Sequence, residues 1–553
     1  MALKIYCVNL GREIDALGGE TLDELLQRIK TEIPFTPICA RVNNKTESLH
    51  YPLYGPKRVE YIDSTTQSGQ RVYVRSMCMM LYRAVYAVAP GARLRIMHSI
   101  SKGYYCKLEG VAVTQELIDS LKEYMRMLAD RNLPFKRHEH PTEDVIEIFR
   151  SQGLDDKVRL LETLHELYTV YYTLDGVADS YNSALAPTTG SIRVFDIELY
   201  KKGFLLLGPN PVNLDVPQQR VTQEKMYEAF TNYLDFNHII GVRNAGELNC
   251  KAEDGRGSML INVAEALHEK KIAVISDEIK RRYDEGGARV VLIAGPSSSG
   301  KTTFTKRLAI QLMTNLLEPT MISLDDYFVD REMTPRDETG DFDYESLYAL
   351  DLKKFNEDLN RLIRGEEVEL PSYDFGSGHR RYDGRKIRLT GKSVLLIEGI
   401  HGLNPELTAS VDARMKFRVY VSALTTIAID DHNWVPTTDN RLLRRIIRDY
   451  KYRGASPVET IRRWPSVRRG EEMWIFPYQE NADMTFNSSL IFELSVMREQ
   501  AERALKTVPQ DVPEYAEAYR LRRFLHFFAP ISPDFIPPTS LLREFMGGSS
   551  FHY

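Results

Sequence analysis

The residues most able to do chemistry are Gly295-Pro-Ser-Ser-Ser-Gly-Lys-Thr302, which follow an apolar run, Val290-Val-Leu-Ile-Ala294, that reads as a buried parallel strand. Gly295 and Gly300 allow backbone N–H groups, with those of Ser297, Ser298 and Ser299, to close around phosphates. Lys301 can reach the β- and γ-phosphates, the Thr302 hydroxyl can hold Mg²⁺, and Thr303 continues the first turn of the helix expected to follow. A chance glycine- and serine-rich turn is the bland alternative, but every fixed position occurs together in a strand-loop-helix setting. The pattern points to a nucleoside triphosphate.

Two acidic positions lie where such a loop needs them. Ser323-Leu-Asp-Asp-Tyr-Phe328 follows a second strand candidate, which puts Asp325 and Asp326 at a strand's carboxyl end, where open α/β sheets hold their ligands. Asp325 can accept a hydroxyl proton, whereas a helix-capping role suits Asp326. The run Ser393-Val-Leu-Leu-Ile-Glu-Gly399 ends in Glu398, the candidate to complete a magnesium site. Arg441, Arg444, Arg445 and Arg448 share one helical face, continued by Lys451 and Arg453. Guanidinium groups there could close as a lid over a triphosphate. A solvated basic face and a nucleic-acid patch are the competing readings.

Positioning these groups requires several folding units. A chain of 553 residues suggests roughly three or four domains. A formal charge of −5 is too mild to mark the whole chain as a nucleic-acid or membrane binder. Cys7, Cys39, Cys78, Cys106 and Cys250 are scattered without close pairs, which argues against a disulfide framework or a cysteine-rich zinc site and favours a reducing cytoplasm. The start mixes charge into short alternation, and no stretch is long and apolar enough to span a bilayer, so no membrane partner is expected.

Residues 1–64 read as a small β-rich module, with a helix near Thr21–Lys30 opened by a Thr21/Glu24 capping box. Segment 65–210 reads as an α+β domain, with helices through Met77–Val88 and Gln115–Arg131, a strand at Arg93–Ile96 and short strands around Ile192–Leu207. A helical connector, 211–285, ends in Leu260–Tyr283. An α/β domain over 286–505 uses strand candidates Met321–Leu324, Val394–Ile397 and Phe417–Val421, and a helical, proline-containing tail covers 506–553.

The phosphate loop, Ser323–Phe328, Phe342-Asp-Tyr344, Pro371-Ser-Tyr-Asp-Phe375, Ile397-Glu-Gly399 and Arg444–Asp449 together resemble the uridine kinase and phosphoribulokinase family, most closely its uridine/cytidine kinase branch. The resemblance implies a P-loop fold with a largely parallel sheet, ATP or another nucleoside triphosphate as donor, and Mg²⁺. Asp325 then matches the catalytic base for a ribose 5′-hydroxyl, Asp343 a ligand of ribose hydroxyls, and Tyr373 and Phe375 aromatic contacts to a nucleoside. Arg445 matches a group near the sugar and reacting phosphate, Arg448 and Arg453 match lid arginines, and Thr302 and Glu398 match the magnesium side. The family's base-reading histidine stands one position earlier than His379, which leaves nucleoside specificity open.

The front half carries a second resemblance. Residues 1–64 look like a TGS β-grasp module, and 65–210 resemble the editing domain of threonyl-tRNA synthetase through Pro90–Ile96, Lys102–Tyr105, Asn132–Phe135 and Ala186–Gly190. That family uses a His-x-x-x-His pair and a later Cys and His, whereas counting from Pro90 and Gly190 puts Met79, Arg83, Tyr181 and Leu185 at these positions. These side chains cannot replace imidazole and thiolate in activating zinc-bound water, and His98, His138 and His140 read as structural. The full arrangement resembles bacterial multidomain uridine kinase-related proteins. It implies a nucleoside kinase whose front half is a binding or regulatory module. A kinase of another hydroxylated substrate, or a regulator binding RNA or a tRNA-like ligand, are the alternatives, and a homo-oligomer stays open.

Overall fold

A computed structural model describes residues 2–338 and 340–552. The chain is a multidomain α/β protein. At its front, strands Arg12–Leu17, Ala2–Cys7, Lys57–Ile62, Cys39–Val42 and Lys45–Glu47 form a five-stranded sheet in that order, with Ala2–Cys7 and Lys57–Ile62 parallel. Helix Leu22–Ile29 places Leu22, Leu25, Leu26 and Ile29 against Ile5, Val59 and Tyr61. The expected capping box is present: Thr21 accepts from the Glu24 amide, and the Glu24 carboxylate accepts from the Thr21 amide.

The next unit combines a four-stranded sheet, in the order Asp196–Tyr200, Gly203–Leu207, Gly103–Glu109, Arg93–Ile100, with a three-stranded sheet of Val177–Asp179, Tyr168–Leu174 and Lys136–Pro141. Helices Gln67–Val88 and Gln115–Arg131 supply its core. The first of these begins ten residues before the Met77 start expected from the sequence, under a Thr66 cap. Helices Thr142–Ser151 and Asp155–Leu164 were not expected. Met79 and Leu185 are core residues, Arg83 pairs with Asp175 at 3.0 Å, and the Tyr181 ring packs against the same core. His98 is buried and stacked on Phe230 at 3.7 Å, and His138 hydrogen-bonds Thr173 at 2.8 Å. Helices Glu224–Ile239, Ala245–Glu253 and Gly257–Asp284 follow, the last of them packing Ile272, Ile275 and Ile279 into the core of the next sheet.

Five parallel strands then build the sheet that carries the phosphate loop: β1 (Val290–Ala294), β2 (Glu318–Ser323), β3 (Ser393–Glu398), β4 (Lys416–Ser422) and β5 (Met484–Asn487), in the order β2-β3-β1-β4-β5. Along β1, Val291 and Ile293 pack with Phe304 and Leu308 on one face, while Val290 and Leu292 pack with Ile322, Leu324 and Leu395 on the other. Both faces are covered, so the strand reads as continuously apolar. Each fully buried side chain of this size contributes about 1.5–3 kcal/mol. Helix α1 (Lys301–Thr314) follows β1, and α2 (Thr437–Tyr452) and α3 (Pro457–Trp474) carry the arginine-rich segment.

The front half and the kinase sheet are joined by a hairpin, Ala428–Asp430 with Asn433–Trp434, which runs directly into α2. Its Trp434 ring lies 4.5 Å from that of Tyr104 and 3.7 Å under the Arg75 guanidinium. His432 Nδ1 is 2.7 Å from Asp179, and Lys157 pairs with Asp179 at 2.8 Å and Asp430 at 2.9 Å. Among the described residues, no helix is long and apolar enough to cross a membrane.

Candidate active site

The phosphate loop turns its carbonyl groups outward onto buried side chains. Arg441 donates to the Ser297 carbonyl at 3.0 Å, Arg444 to that of Ser298 at 3.4 Å, and the Ser488 hydroxyl to that of Ser299 at 2.5 Å. Gly295 is required because a Cβ there would meet the Val421 carbonyl oxygen at 1.9 Å, and Gly300 takes a left-handed φ of 83° at the helix entrance. The first amides of α1 have no intrahelical acceptors, which makes the mouth of the loop suited to phosphoryl oxygens. Lys301 Nζ folds back on the Pro296 carbonyl at 3.2 Å.

The lid helix differs from its expected form. Arg441 and Arg444 are buried to 1% and 0% exposure rather than free to close on a ligand. Arg441 pairs with Glu471 at 2.8 Å and Arg444 with Glu493 at 2.6 Å, so charge alone misassigned them: they hold the loop from behind. Arg445 and Arg448 do reach the front, donating to Ser297 Oγ at 2.9 Å and Ser298 Oγ at 3.4 Å. Arg453 is more exposed and pairs with Asp449 at 3.5 Å. Burial and the neighbouring Arg453 push Arg448 down to about 10.

Asp325 stands two residues beyond β2. Its carboxyl is solvent-accessible, yet it lies deep enough among protein atoms for desolvation to raise its pKa, against the pull of Lys301, Arg453 and Arg448. Asp326 does not cap a helix. Ser323 caps the short turn Leu324–Tyr327 by accepting from the Asp325 amide, and Asp326 faces Arg385 at 3.7 Å. Glu398 closes β3 beside Ser323 and Ile293, where it accepts from Thr302 Oγ1 at 3.3 Å and Ser323 Oγ at 3.4 Å. Burial, with Asp325 and Glu544 nearby, pushes it up to about 7 despite Lys301. These hard oxygen donors fit Mg²⁺, which takes few protein ligands and completes its shell with water and phosphate.

The acceptor-side residues divide. Asp343 is half-buried, accepts from the Glu345 amide at 3.1 Å, and is raised by burial. Tyr373 is buried in a cluster with Phe328, at 5.5 Å between ring centroids, and with Phe375 at 5.0 Å; the Phe375 ring is 56% exposed. Strands Ser372–Asp374 and His379–Arg381 pair as a hairpin in which His379 opposes Asp374 and Arg380 opposes Tyr373. Directly opposed residues share a face and neighbours alternate. His379 therefore lies across the hairpin from Tyr373, exposed and 3.6 Å from Asp330.

Four further residues belong to this surrounding and were not singled out by sequence. Glu345 carries a buried Oε2 with no hydrogen-bond partner among the described residues, and burial, with Glu471 nearby, raises it to about 7 against Arg445 and Lys301. Its place two residues after Asp343 was the available signal. His401, in the turn after β3, is 2% exposed; its ring nitrogens make no well-formed hydrogen bond among the described residues, and burial lowers it to about 4. Glu471 accepts from the Ser297 amide at 3.2 Å, and Glu544 from Thr303 Oγ1 at 2.6 Å. The partners of these last two are remote in sequence.

The model of the phosphoribulokinase/uridine kinase family matches residues 290–491. A uridine kinase of Staphylococcus aureus (strain JH9) is 31% identical over 196 residues, covering 35% of this chain and 85% of that enzyme. The chain belongs to the phosphoribulokinase/uridine kinase family. Its kinase region is thus a phosphotransferase acting on a nucleoside or another small molecule. The front half is similar to threonine–tRNA ligase of Rubrobacter xylanophilus, 24% identical over 189 residues, covering 34% of this chain and 29% of the ligase. Among solved structures, a possible uridine kinase from Bacillus stearothermophilus aligns with a TM-score of 0.25 at 21% identity, over 36% of this chain and 89% of that one.

Proposed function

We propose that the chain transfers the γ-phosphoryl group of ATP to the 5′-hydroxyl of a nucleoside, of the uridine/cytidine type. The observation that carries this reading is Asp325, a carboxylate with a raised pKa beyond β2 and within the field of Lys301 and the lid arginines. A general base works best with a pKa moved toward the working pH. Asp325 takes the proton of the acceptor hydroxyl. Lys301, Arg445 and Arg448, with the backbone N–H groups of the loop, hold the triphosphate and the charge that develops on the transferred group. Arg453 approaches from the exposed end of the lid helix.

Thr302 and Glu398 would hold Mg²⁺, which when bound neutralises phosphate charge. Asp343 orients ribose hydroxyls, and the aromatic pair Tyr373 and Phe375 offers a stacking platform that does not by itself identify a base. His379, on the other face of its hairpin, would reach a base only after a local rearrangement.

Similarity of the front half to a tRNA ligase favours a second role there, binding RNA or a tRNA-like ligand. The Trp434 hairpin already packs into the core of that unit, so a ligand would have to use another surface or displace it. The deciding experiment is an ATP-consumption screen across nucleosides and small sugars, with product mass confirmed and Lys301→Ala as the control. A pyrimidine nucleoside should be phosphorylated and the control inactive. Turnover of only a non-nucleoside acceptor would overturn the nucleoside assignment.

A further inference from the structure

The C-terminal segment returns to the mouth of the phosphate loop. Its last helical turn, Arg543–Met546, brings the Glu544 carboxylate to the Thr303 amide at 3.3 Å, the Thr303 hydroxyl at 2.6 Å and Arg448 at 3.5 Å. Leu541 closes on the entrance to α1, where a Cβ on Gly300 would meet its Cδ2 at 2.3 Å. Phe545 lies beneath Arg444 and Arg448, at 5.2 and 5.6 Å, and Lys451 donates to the Met546 carbonyl at 2.5 Å. Lys306 donates to the His552 carbonyl.

The placement of the charge is informative. Apolar contacts of Leu541 and Phe545 would be enough to dock a tail, yet the carboxylate sits on an amide of the first turn of α1, the adjoining hydroxyl and a lid guanidinium. These are the donors a phosphate would use on entering this loop. Two anions cannot share them without strong repulsion. Gly547 and Gly548, with φ of 91° and 76°, end the turn that presents Glu544.

We propose that this tail is an autoinhibitory latch, with the Glu544 carboxylate occupying the place of a donor phosphate until the turn Arg543–Met546 withdraws. The inference rests on the phosphate-loop reading above. Its occupant in the open state is a nucleoside di- or triphosphate.

The test measures ADP binding to the full chain by calorimetry, for the parental protein, Glu544→Gln and Glu544→Ala. Removing the competing charge should tighten ADP by about tenfold, the scale of one charge-assisted hydrogen bond. As a second measurement that needs no substitution, saturating ADP should speed amide hydrogen exchange in residues 543–547 of the parental chain. Equal or weaker ADP binding by both variants, or exchange slowed or unchanged by ADP, would overturn the latch alone, provided that the parental chain binds ADP. Absence of ADP binding in all three proteins would overturn both the latch and the phosphate-loop reading.

Discussion

Two groups of charge, one at the Trp434 hairpin and one around the phosphate loop, are built to opposite rules. Where the hairpin meets the front half, Lys157 and Asp179 of the front half and Asp430 and His432 of the hairpin satisfy one another within 2.9 Å. Pairing overcomes burial there: Asp179 is held well below the usual carboxylate range, and His432 is raised by the Asp179 charge despite desolvation. Around the phosphate loop, Asp325, Glu345 and Glu398 are all raised: desolvation is the largest cause for each and outweighs Lys301, with neighbouring carboxylates adding to it for Glu345 and Glu398. A closed set of charges makes a joint. An incompletely paired set is what a ligand with its own charge can complete.

The sharpest way to break this contrast is Asp325→Asn, which keeps size but cannot take a proton; kcat should fall by about a thousandfold with ATP affinity retained. Loss of ATP binding in this variant would make Asp325 part of the donor site instead. On the paired side, Lys157→Met should cost about 3–5 kcal/mol of stability, as measured by denaturant unfolding, because Asp430 loses its lysine and Asp179 keeps only His432. A fully stable variant would show that the joint does not depend on this pairing.

Glu345 gives a smaller effect with a defined sign. Its folded pKa, about 7, lies above the ordinary carboxylate value, so the folded chain keeps a proton that the unfolded chain releases, and stability falls as pH rises from about 4.5 through 7. Glu345→Gln should remove that slope and be more stable above pH 7, by up to about 3 kcal/mol. An unchanged pH profile would contradict the burial assigned to it. The smallest effect belongs to the hairpin: Phe375→Ala should raise the acceptor KM by about tenfold, whereas His379→Ala should leave substrate ranking as it is. A changed ranking in the His379 variant would mean that the hairpin rearranges on binding.

Features whose partners lie close in sequence were readable in advance. The phosphate loop is contiguous, the Thr21/Glu24 cap spans one turn, and Glu398 closes an apolar run. Helix Gln115–Arg131 has both its periodicity and its Thr114 cap in view. Strand Lys136–Pro141 was missed because Lys-Arg-His-Glu-His-Pro has no apolar alternation; it is an edge strand, laddered on one side to Tyr168–Leu174. Arg441 and Arg444 looked like a free basic face because their carboxylates, Glu471 and Glu493, lie 30 and 49 residues away. Glu544 is 241 residues from Thr303, beyond the reach of any local pattern.

The hairpin that ends at Trp434 also has a mechanical meaning. Only Val435 and Pro436 separate it from α2, so the root of the lid helix is fixed against the front half. Arg441 and Arg444, near that root, are locked by Glu471 and Glu493, while the far end of the helix is held by the C-terminal turn through Arg448 and Lys451. The joint to the front half and the two arginines that hold the phosphate loop from behind thus stand on one short stretch of chain, from Trp434 to Arg444.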